Sequence, residues 1–193
     1  MKSIYAVAAV TLVSVLAAGC KPAPAPEAAP AAPAEAAPAA EAAAPAAAAE
    51  LSVSKSITIA ASADAVWAKV KDFNGMTAWH PAIAKSEIVE GTNNTVGAVR
   101  VLTLAGEKPV TIKEKLTALD DAGKTFSYEI LEGPLPVAGY SSTLVVAAAG
   151  EGSTVTWSSK FKAAGADDAT ATSTIEGVYT GGLDNLKKVA ETK

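Results

Sequence analysis

The stretch "SYEILEGPLPVAGYSSTLVV", residues 127–146, contains two runs of alternating polar and apolar residues on either side of a segment rich in glycine and proline. Alternation with period two is typical of β-strands, and the glycines and prolines between the runs favour a turn. A connection this short joins antiparallel neighbours, because parallel strands need a crossover of a dozen residues or more. The stretch therefore predicts an antiparallel pair of strands.

The same alternation continues on both sides of this pair. Strands are predicted at 51–60, 85–90, 97–104, 109–118, 125–132, 138–148 and 153–162. Because the connections from residue 85 onward are short and rich in turn-forming residues, neighbouring strands are expected to be antiparallel. The pattern predicts one sheet of about seven strands.

The segment "SADAVWAKVKDF", residues 62–73, changes from period two to helical spacing. Ser62 is a suitable N-cap for this helix. The apolar stripe predicted for it consists of Ala65, Val66, Val70 and Phe73. Pro81 then disfavours helical backbone at His80, so residues 74–84 are expected to form a loop or a broken second helix.

The C-terminal segment 169–193 also has helical spacing. Its apolar stripe consists of Ile175, Tyr179, Leu183 and Leu186. Gly181 and Gly182 interrupt this pattern, and a glycine pair inside a helix costs about 2 kcal/mol relative to alanine. A kink, or a close approach of the helix to another part of the molecule, is therefore expected at the two glycines.

These elements together predict an α+β fold. Its components are a curved antiparallel sheet of about seven strands, two short helices and a long C-terminal helix that lies across one face. This packing buries the apolar faces of both sheet and helix. A sheet that curves around a helix encloses a cavity, and such cavities commonly bind ligands.

Residues 1–19 have the features of a secretory signal peptide. Lys2 precedes the apolar run "IYAVAAVTLVSVLAA", which ends in small residues. The following "LAAGC" resembles the lipobox of bacterial lipoproteins, in which the cysteine, here Cys20, receives the lipid anchor. Lys21 stands where an aspartate would indicate retention at the inner membrane, so the resemblance implies an outer-membrane lipoprotein that faces the periplasm. A secreted protein with an incidental cysteine is the alternative.

Residues 20–50 are expected to be a flexible spacer after the lipidated cysteine. They consist almost wholly of alanine, proline and glutamate and contain no large apolar side chain. At roughly 3 Å per extended residue, the spacer reaches up to about 90 Å from the membrane. A ligand for a proline-recognition domain is the alternative. The folded domain is expected at 51–193.

Four segments of this domain resemble, in order and spacing, the START-like helix-grip (SRPBCC) superfamily. They are "VWAKVKDFNGMTAWHPAIAKSEIVEG", "TIKEKLTALDD", "SYEILEGPLPVAGYSSTLVV" and "STVTWSSKF". The superfamily includes bacterial polyketide cyclase/dehydrase-type proteins, periplasmic MxaD-like proteins and plant abscisic-acid receptors. The resemblance implies a helix-grip fold with an apolar cavity between the sheet and the C-terminal helix, but it does not imply one activity.

Two charged residues, Arg100 and Glu114, lie on the apolar parity of neighbouring predicted strands. If the turn in "LTLAGEKPVTI" is centred near Glu107, Arg100 faces Glu114 and Leu102 faces Ile112. One interpretation is a cross-strand ion pair with a structural role. The other is a charged pair at the mouth of the cavity that orients a polar group of the ligand.

The remaining candidate site residues come from strand parity, the helical stripe and the resemblance. Overlaid on the abscisic-acid receptors, the carboxylate-binding lysine falls on His80, and polar pocket positions fall on Glu114, Tyr140 and Ser142. The gate "AGEKP" and the latch "GPLPV" depart from the receptor signatures, so abscisic acid is not expected. The predicted ligand-binding residues are His80, Arg100, Glu114, Tyr128, Tyr140, Ser142, Trp157 and Tyr179. A filled core is the alternative for the aromatic residues.

The composition bounds the function. The formal net charge is −4 and no basic patch is present, so no nucleic-acid partner is expected. The chain lacks HExxH and CxxC motifs and has one histidine, so neither a metal nor another cofactor is expected, and no catalytic residue is assigned. The expected function is binding of a hydrophobic small molecule or lipid. The alternatives are a cyclase or dehydratase that uses His80, Glu114 and Tyr140, and an accessory protein for a periplasmic protein partner.

Overall fold

The structure is a computed structural model that describes residues 49–192 of the 193-residue chain. The predicted signal peptide 1–19, the predicted lipidation site Cys20 and nearly all of the predicted spacer lie outside this part of the chain. No helix among residues 49–192 combines the length and the hydropathy needed to cross a membrane.

Residues 49–192 form seven strands and two α-helices. In chain order these are β1 (Leu51–Ile59), α1 (Ala63–Val70), β2 (Ile83–Glu90), β3 (Val99–Leu104), β4 (Thr111–Asp120), β5 (Thr125–Glu132), β6 (Val137–Ala149), β7 (Gly152–Ala163) and α2 (Asp168–Glu191). A one-turn 3-10 helix, Gly75–Ala78, lies between α1 and β2. The predicted strands are confirmed, and their ends differ from the prediction by at most two residues.

The strands form one antiparallel sheet in the order β1-β7-β6-β5-β4-β3-β2. The predicted register between β3 and β4 is confirmed, since Arg100 pairs with Glu114 and Leu102 pairs with Ile112. Alternate side chains of each strand point toward α2 and α1, and most of them are buried. The inner face of the sheet and the two helices therefore enclose the apolar core.

Helix α1 begins where the sequence predicts but buries a different stripe. Ser62 is the N-cap, and its hydroxyl oxygen accepts the backbone N–H of Ala65 at 3.3 Å. The predicted apolar position Ala65 is exposed. The buried residues of the helix are Ala63, Val66, Trp67 and Val70, which have the i, i+3, i+4, i+7 spacing of one helix face. The predicted stripe missed Trp67, which packs on the core with Phe126.

Helix α2 continues from Asp168 to Glu191 through Gly181 and Gly182, where the sequence predicts a kink or a close approach. The expected close approach is present instead at Gly182. A Cβ atom added there would lie 2.5 Å from His80 Cδ2 and 2.9 Å from Trp157 Cζ3, which is closer than carbon atoms pack. A Cβ atom added at Gly181 would meet nothing within 4 Å. Only the second glycine is required by packing.

This difference predicts opposite effects for two neighbouring substitutions. Gly181→Ala should raise the free energy of unfolding by about 0.5–1 kcal/mol, because alanine favours the helix and the site is open. Gly182→Ala should lower it by about 1–3 kcal/mol, because the added methyl group overpacks the contact with His80 and Trp157. Urea unfolding followed by tryptophan fluorescence measures both. Equal changes in the two variants would contradict the assigned contact.

Candidate functional site

A cavity of about 100 Å³ lies between the inner face of the sheet and the N-terminal half of α2. Its wall is mainly aliphatic and comes from strands β2 to β7, the loop before β6, α2 and the segment before β2. Five predicted site residues contribute to this wall: His80, Glu114, Tyr128, Tyr140 and Trp157. The structure therefore brings together most of the residues that the sequence singles out.

The other three predicted residues, Arg100, Ser142 and Tyr179, lie behind the cavity wall. All three are buried and each contacts a side chain that lines the cavity. They hold the lining residues in place rather than facing the enclosed space. A ligand-binding role remains a prediction for all eight residues.

His80 is buried beside α2, and backbone groups engage both of its ring nitrogens. Its Nδ1 accepts the N–H of Ala82 at 3.3 Å, so the ring hydrogen is on Nε2, which donates to the carbonyl of Val178 at 3.2 Å. The ring also packs edge-on against Trp157. His80 thus presents a ring edge to the cavity and joins the segment before β2 to α2.

The surroundings of His80 lower its pKa. Burial is the largest cause, because it penalises the charged imidazolium, and the positive charge of Arg100 acts in the same direction. The hydrogen bond to the Val178 carbonyl opposes them. The ring is therefore neutral in the folded protein near pH 7.

The buried ion pair between Arg100 and Glu114 forms as the strand register predicts, but it is not at an exposed cavity mouth. Nε and Nη2 of Arg100 lie 2.8 Å and 2.7 Å from the same oxygen, Oε2 of Glu114. Nη1 donates to the carbonyl of Phe73, and the guanidinium stacks on the Phe73 ring with its carbon 4.0 Å from the centroid. Nη2 also contacts Met76 Sδ at 3.3 Å. Arg100 therefore ties the segment after α1 to the sheet.

Glu114 lines the cavity. Burial raises its pKa, while the charge and the hydrogen bonds of Arg100 act in the opposite direction. Arg100 contacts only Oε2, and no residue in 49–192 donates a hydrogen bond to Oε1. One acceptor oxygen of the cavity wall is thus free for a ligand.

Four hydroxyl-bearing residues and Trp157 form a hydrogen-bonded network that joins the cavity wall to the residues behind it. Ser142 Oγ lies 2.9 Å from the Ser158 carbonyl and must donate to it. The 2.9 Å contact between Tyr179 and Ser142 then takes its hydrogen from Tyr179, and the 2.6 Å contact between Tyr140 and Tyr179 takes its hydrogen from Tyr140. Trp157 Nε1 donates to Ser142 at 2.9 Å and to Tyr128 at 3.2 Å.

This assignment leaves the hydroxyl hydrogen of Tyr128 unused. Both lone pairs of Ser142 Oγ are occupied, and no other residue in the described range accepts from Tyr128. Burial raises the pKa of Tyr128, Tyr140 and Tyr179, so all three phenols keep their hydrogens. The cavity wall therefore contains a free donor on Tyr128, and its free acceptors include Oε1 of Glu114.

A cleft of about 340 Å³ adjoins the cavity where β5 and β6 separate. The two strands pair only between Thr125–Glu129 and Ser141–Val145, and β6 contains an irregularity between Ala138 and Ser141. Gly139 lies there with φ of +60°, a backbone conformation that favours glycine. Ile130, Leu135 and Tyr140 line both the cavity and the cleft, so the two spaces adjoin at these residues.

Sequence reasoning missed several residues of the site. Met76 and Val178 line the cavity, although neither was assigned a role. Val178 lies three residues after Ile175, so the same helical spacing that identifies the stripe contains the signal for it. Met76 lies in the 3-10 turn, where no periodic pattern identifies it. No three His, Cys, Asp or Glu side chains of residues 49–192 converge where they could hold a metal ion.

The model of the family described as "Polyketide cyclase / dehydrase and lipid transport" matches residues 50–191. Among solved structures, an uncharacterized protein from Bacillus thuringiensis is 30% identical with a TM-score of 0.68, over 74% of this chain and 100% of that one. The protein XoxI from Bacillus cereus is 31% identical with a TM-score of 0.65, over 71% of this chain and 93% of XoxI.

A third solved structure, Ara h 8.0201, is 21% identical with a TM-score of 0.64, over 74% of this chain and 98% of that one. At this identity the similarity concerns the fold alone. Together with the seven-stranded sheet and the long α2, it confirms the predicted helix-grip fold.

The neutral, buried state of His80 predicts a dependence of stability on pH. Its folded pKa is below the ordinary histidine value of 6.5, so the unfolded chain binds a proton more readily. The contribution of His80 is fully present above about pH 6.5 and is lost as the pH falls toward the folded pKa. Between pH 7 and pH 5, the free energy of unfolding should therefore fall more steeply in the natural protein than in His80→Gln, which cannot be protonated.

Urea unfolding of both proteins at pH 7, 6 and 5 measures this difference. His80 is the one histidine of the chain, so the difference between the two proteins isolates its titration from that of the carboxyl groups. A difference that stays constant over this range would show that His80 binds a proton equally well in the folded and unfolded states.

Proposed function

Because the chain belongs to the polyketide cyclase/dehydrase and lipid transport family, we propose that it binds a hydrophobic small molecule or a lipid in the cavity beneath α2. One observation carries this proposal: the cavity wall is mainly aliphatic and aromatic, yet it contains a free donor on Tyr128 and a free acceptor on Glu114. Apolar walls with a few placed polar atoms are typical of small-molecule sites.

The dimensions of the site indicate an elongated ligand. A cavity of about 100 Å³ is smaller than the apolar cavity of about 150 Å³ that binds benzene, so it holds only one end of a larger ligand. The adjoining cleft between β5 and β6 adds about 340 Å³. A ligand with its polar end in the cavity and its apolar chain in the cleft would use both spaces after Leu135 moves aside.

The geometry favours binding over catalysis by His80. A general acid or base needs a nitrogen that can reach the substrate, and both ring nitrogens of His80 are engaged by the backbone of Ala82 and Val178. Glu114 is paired with Arg100 on one oxygen. A cyclase or dehydratase activity is therefore the second candidate, and it would rest on Glu114 and Tyr128 rather than on His80.

The second part of the proposal concerns location. The segment "LAAGC" supports lipidation of Cys20, and Lys21 supports sorting to the outer membrane. Two or more acyl chains give stable anchoring where a single chain gives weak binding. The spacer up to residue 50 would then hold the domain in the periplasm, within reach of hydrophobic molecules in the membrane. A periplasmic protein partner that exchanges the ligand is compatible with this arrangement.

The ligand proposal predicts a co-purifying molecule that depends on the cavity. Organic extraction of the purified chain carrying Cys20→Ser, followed by mass spectrometry, should recover a hydrophobic compound in near-stoichiometric amount. Val178→Phe should reduce its recovery at least fivefold, because the larger side chain fills the cavity while the Val178 carbonyl remains available to His80.

Thr180→Phe is the matched control for this experiment. Thr180 is exposed on the same helix, two residues away, so this variant should retain the compound. Equal recovery from the natural sequence and from Val178→Phe would place the compound outside the cavity and contradict the proposal. Turnover of an extracted compound by the natural sequence, lost in Glu114→Gln, would instead favour the enzyme.

The location proposal predicts that the anchor depends on one thiol. In a Gram-negative host, the natural chain should sediment with outer membranes and be released by detergent but not by high salt, because the acyl chains insert into the bilayer. Cys20→Ser should be recovered in the soluble fraction. Lys21→Asp should shift the protein to inner membranes. A natural chain that fractionates like Cys20→Ser would contradict lipid anchoring.

A further inference from the structure

We infer that the cavity selects uncharged ligands that carry a hydroxyl group and rejects carboxylates, through Tyr128 and Glu114. This inference rests on the proposed function, since it names the chemical class of ligand for the same cavity. The observations that carry it are a hydroxyl hydrogen, of Tyr128, and a carboxyl oxygen, of Glu114, that form no hydrogen bond within residues 49–192, on two residues that line the cavity.

The free donor belongs to Tyr128. Its oxygen accepts from Trp157 Nε1 at 3.2 Å, and its own hydrogen has no acceptor in the described part of the chain. The nearest hydroxyl network cannot supply one, because Ser142 already accepts from Trp157 and Tyr179. A buried donor without a partner is costly, so a ligand that accepts this hydrogen gains affinity.

The free acceptor belongs to Glu114. Nε of Arg100 donates to Oε2 at 2.8 Å and Nη2 lies 2.7 Å from the same oxygen, so Oε1 has no contact with Arg100, and Glu114 lines the cavity. Glu114 pairs with Ile130 across β4 and β5, and Tyr128 lies two residues along β5 on the same face. The donor and the acceptor are therefore diagonal neighbours on the inner face of the sheet.

A ligand hydroxyl group supplies both functions that this pair lacks, a donor for Glu114 and an acceptor for Tyr128. It donates its hydrogen to Glu114 and accepts the hydrogen of Tyr128, which suits a cavity of about 100 Å³. A hydrocarbon satisfies neither group. A carboxylate accepts from Tyr128 but places its negative charge beside the Glu114 carboxyl group, which forms the ion pair with Arg100.

No cation of residues 49–192 compensates for that repulsion inside the cavity. The wall contains neither lysine nor arginine, and His80 is neutral because burial lowers its pKa. The guanidinium of Arg100 lies behind Glu114 and is already engaged by that carboxylate, by the Phe73 ring and carbonyl, and by Met76. A ligand carboxylate therefore has no counter-ion to approach.

Three probes of matched shape test the inference: phenol, toluene and benzoate. Two-dimensional NMR titration of the chain carrying Cys20→Ser at pH 7 gives the dissociation constant of each probe. Phenol should bind about fivefold to tenfold more tightly than toluene, the gain expected for a satisfied buried hydrogen bond. Benzoate should bind at least tenfold more weakly than phenol. Val178→Phe should abolish phenol binding, which locates the site in the cavity.

Tyr128→Phe distinguishes loss of the hydrogen bond to phenol from a general loss of affinity for the cavity. Trp157 keeps its shorter hydrogen bond to Ser142 in this variant, so the network behind the wall remains. Phenol affinity should fall to that of toluene, and toluene affinity should stay the same. Ser127→Ala is the matched control, because it removes the adjacent hydroxyl of the same strand, which bonds to Thr143 on the outer face. It should leave the preference for phenol unchanged.

The outcomes distinguish this inference from the proposed function. If toluene and benzoate bind as tightly as phenol in the cavity, the selection for a hydroxyl group is overturned while the cavity remains a binding site. The same conclusion follows if Tyr128→Phe weakens phenol and toluene equally. If none of the three probes binds, both the inference and the proposed ligand-binding function are overturned.

Discussion

The close approach of α2 to the sheet at Gly182 is the constraint on which the site depends. A glycine at this position lets the helix axis approach the rings of His80 and Trp157 more closely than any side chain would allow. N-terminal to this contact, Ile175 and Val178 stand between the helix and the sheet and line the cavity. Because the sheet is curved, a helix that contacts it closely at Gly182 can lie farther from it at Ile175 and Val178 and leave space between them. The cavity is therefore a consequence of where α2 is closest to the sheet.

The same contact determines how polar groups are distributed behind the wall. Because α2 is close to the sheet, the hydroxyl group of Tyr179 contacts those of Ser142 and Tyr140. Tyr140 donates to Tyr179, Tyr179 donates to Ser142, and Ser142 donates to the Ser158 carbonyl. Buried polar networks are stable only when each member has a partner, and this one closes without drawing on the cavity. The donor of Tyr128 and one oxygen of Glu114 are left over. The polar atoms available to a ligand are thus those that form no hydrogen bond within the network.

The sequence predicts the sheet well, because strand parity and turn length are local signals. They place Arg100 opposite Glu114 and bring Tyr128, Tyr140 and Trp157 to one face, as the structure confirms. They do not reveal that both nitrogens of His80 are bound by backbone groups, since one of these, the Val178 carbonyl, lies 98 residues away on a helix. The burial of the Arg100 side chain and the separation of β5 from β6 likewise depend on packing between distant elements. Roles that depend on burial therefore could not be read from the pattern.

The buried ion pair links the shape of the cavity to its polarity. Stability alone does not account for Arg100 and Glu114, because well-packed apolar residues of similar volume are often at least as stabilising as a buried pair. Arg100 holds the Phe73 carbonyl and Met76, so it fixes the segment that leads to His80. Glu114 neutralises Arg100 with one oxygen and offers the other to the cavity. A ligand that binds this second oxygen thus contacts the carboxyl group that holds Arg100 in place. A neutral acceptor at position 114 could still bind the ligand, but it would not form the ion pair with Arg100.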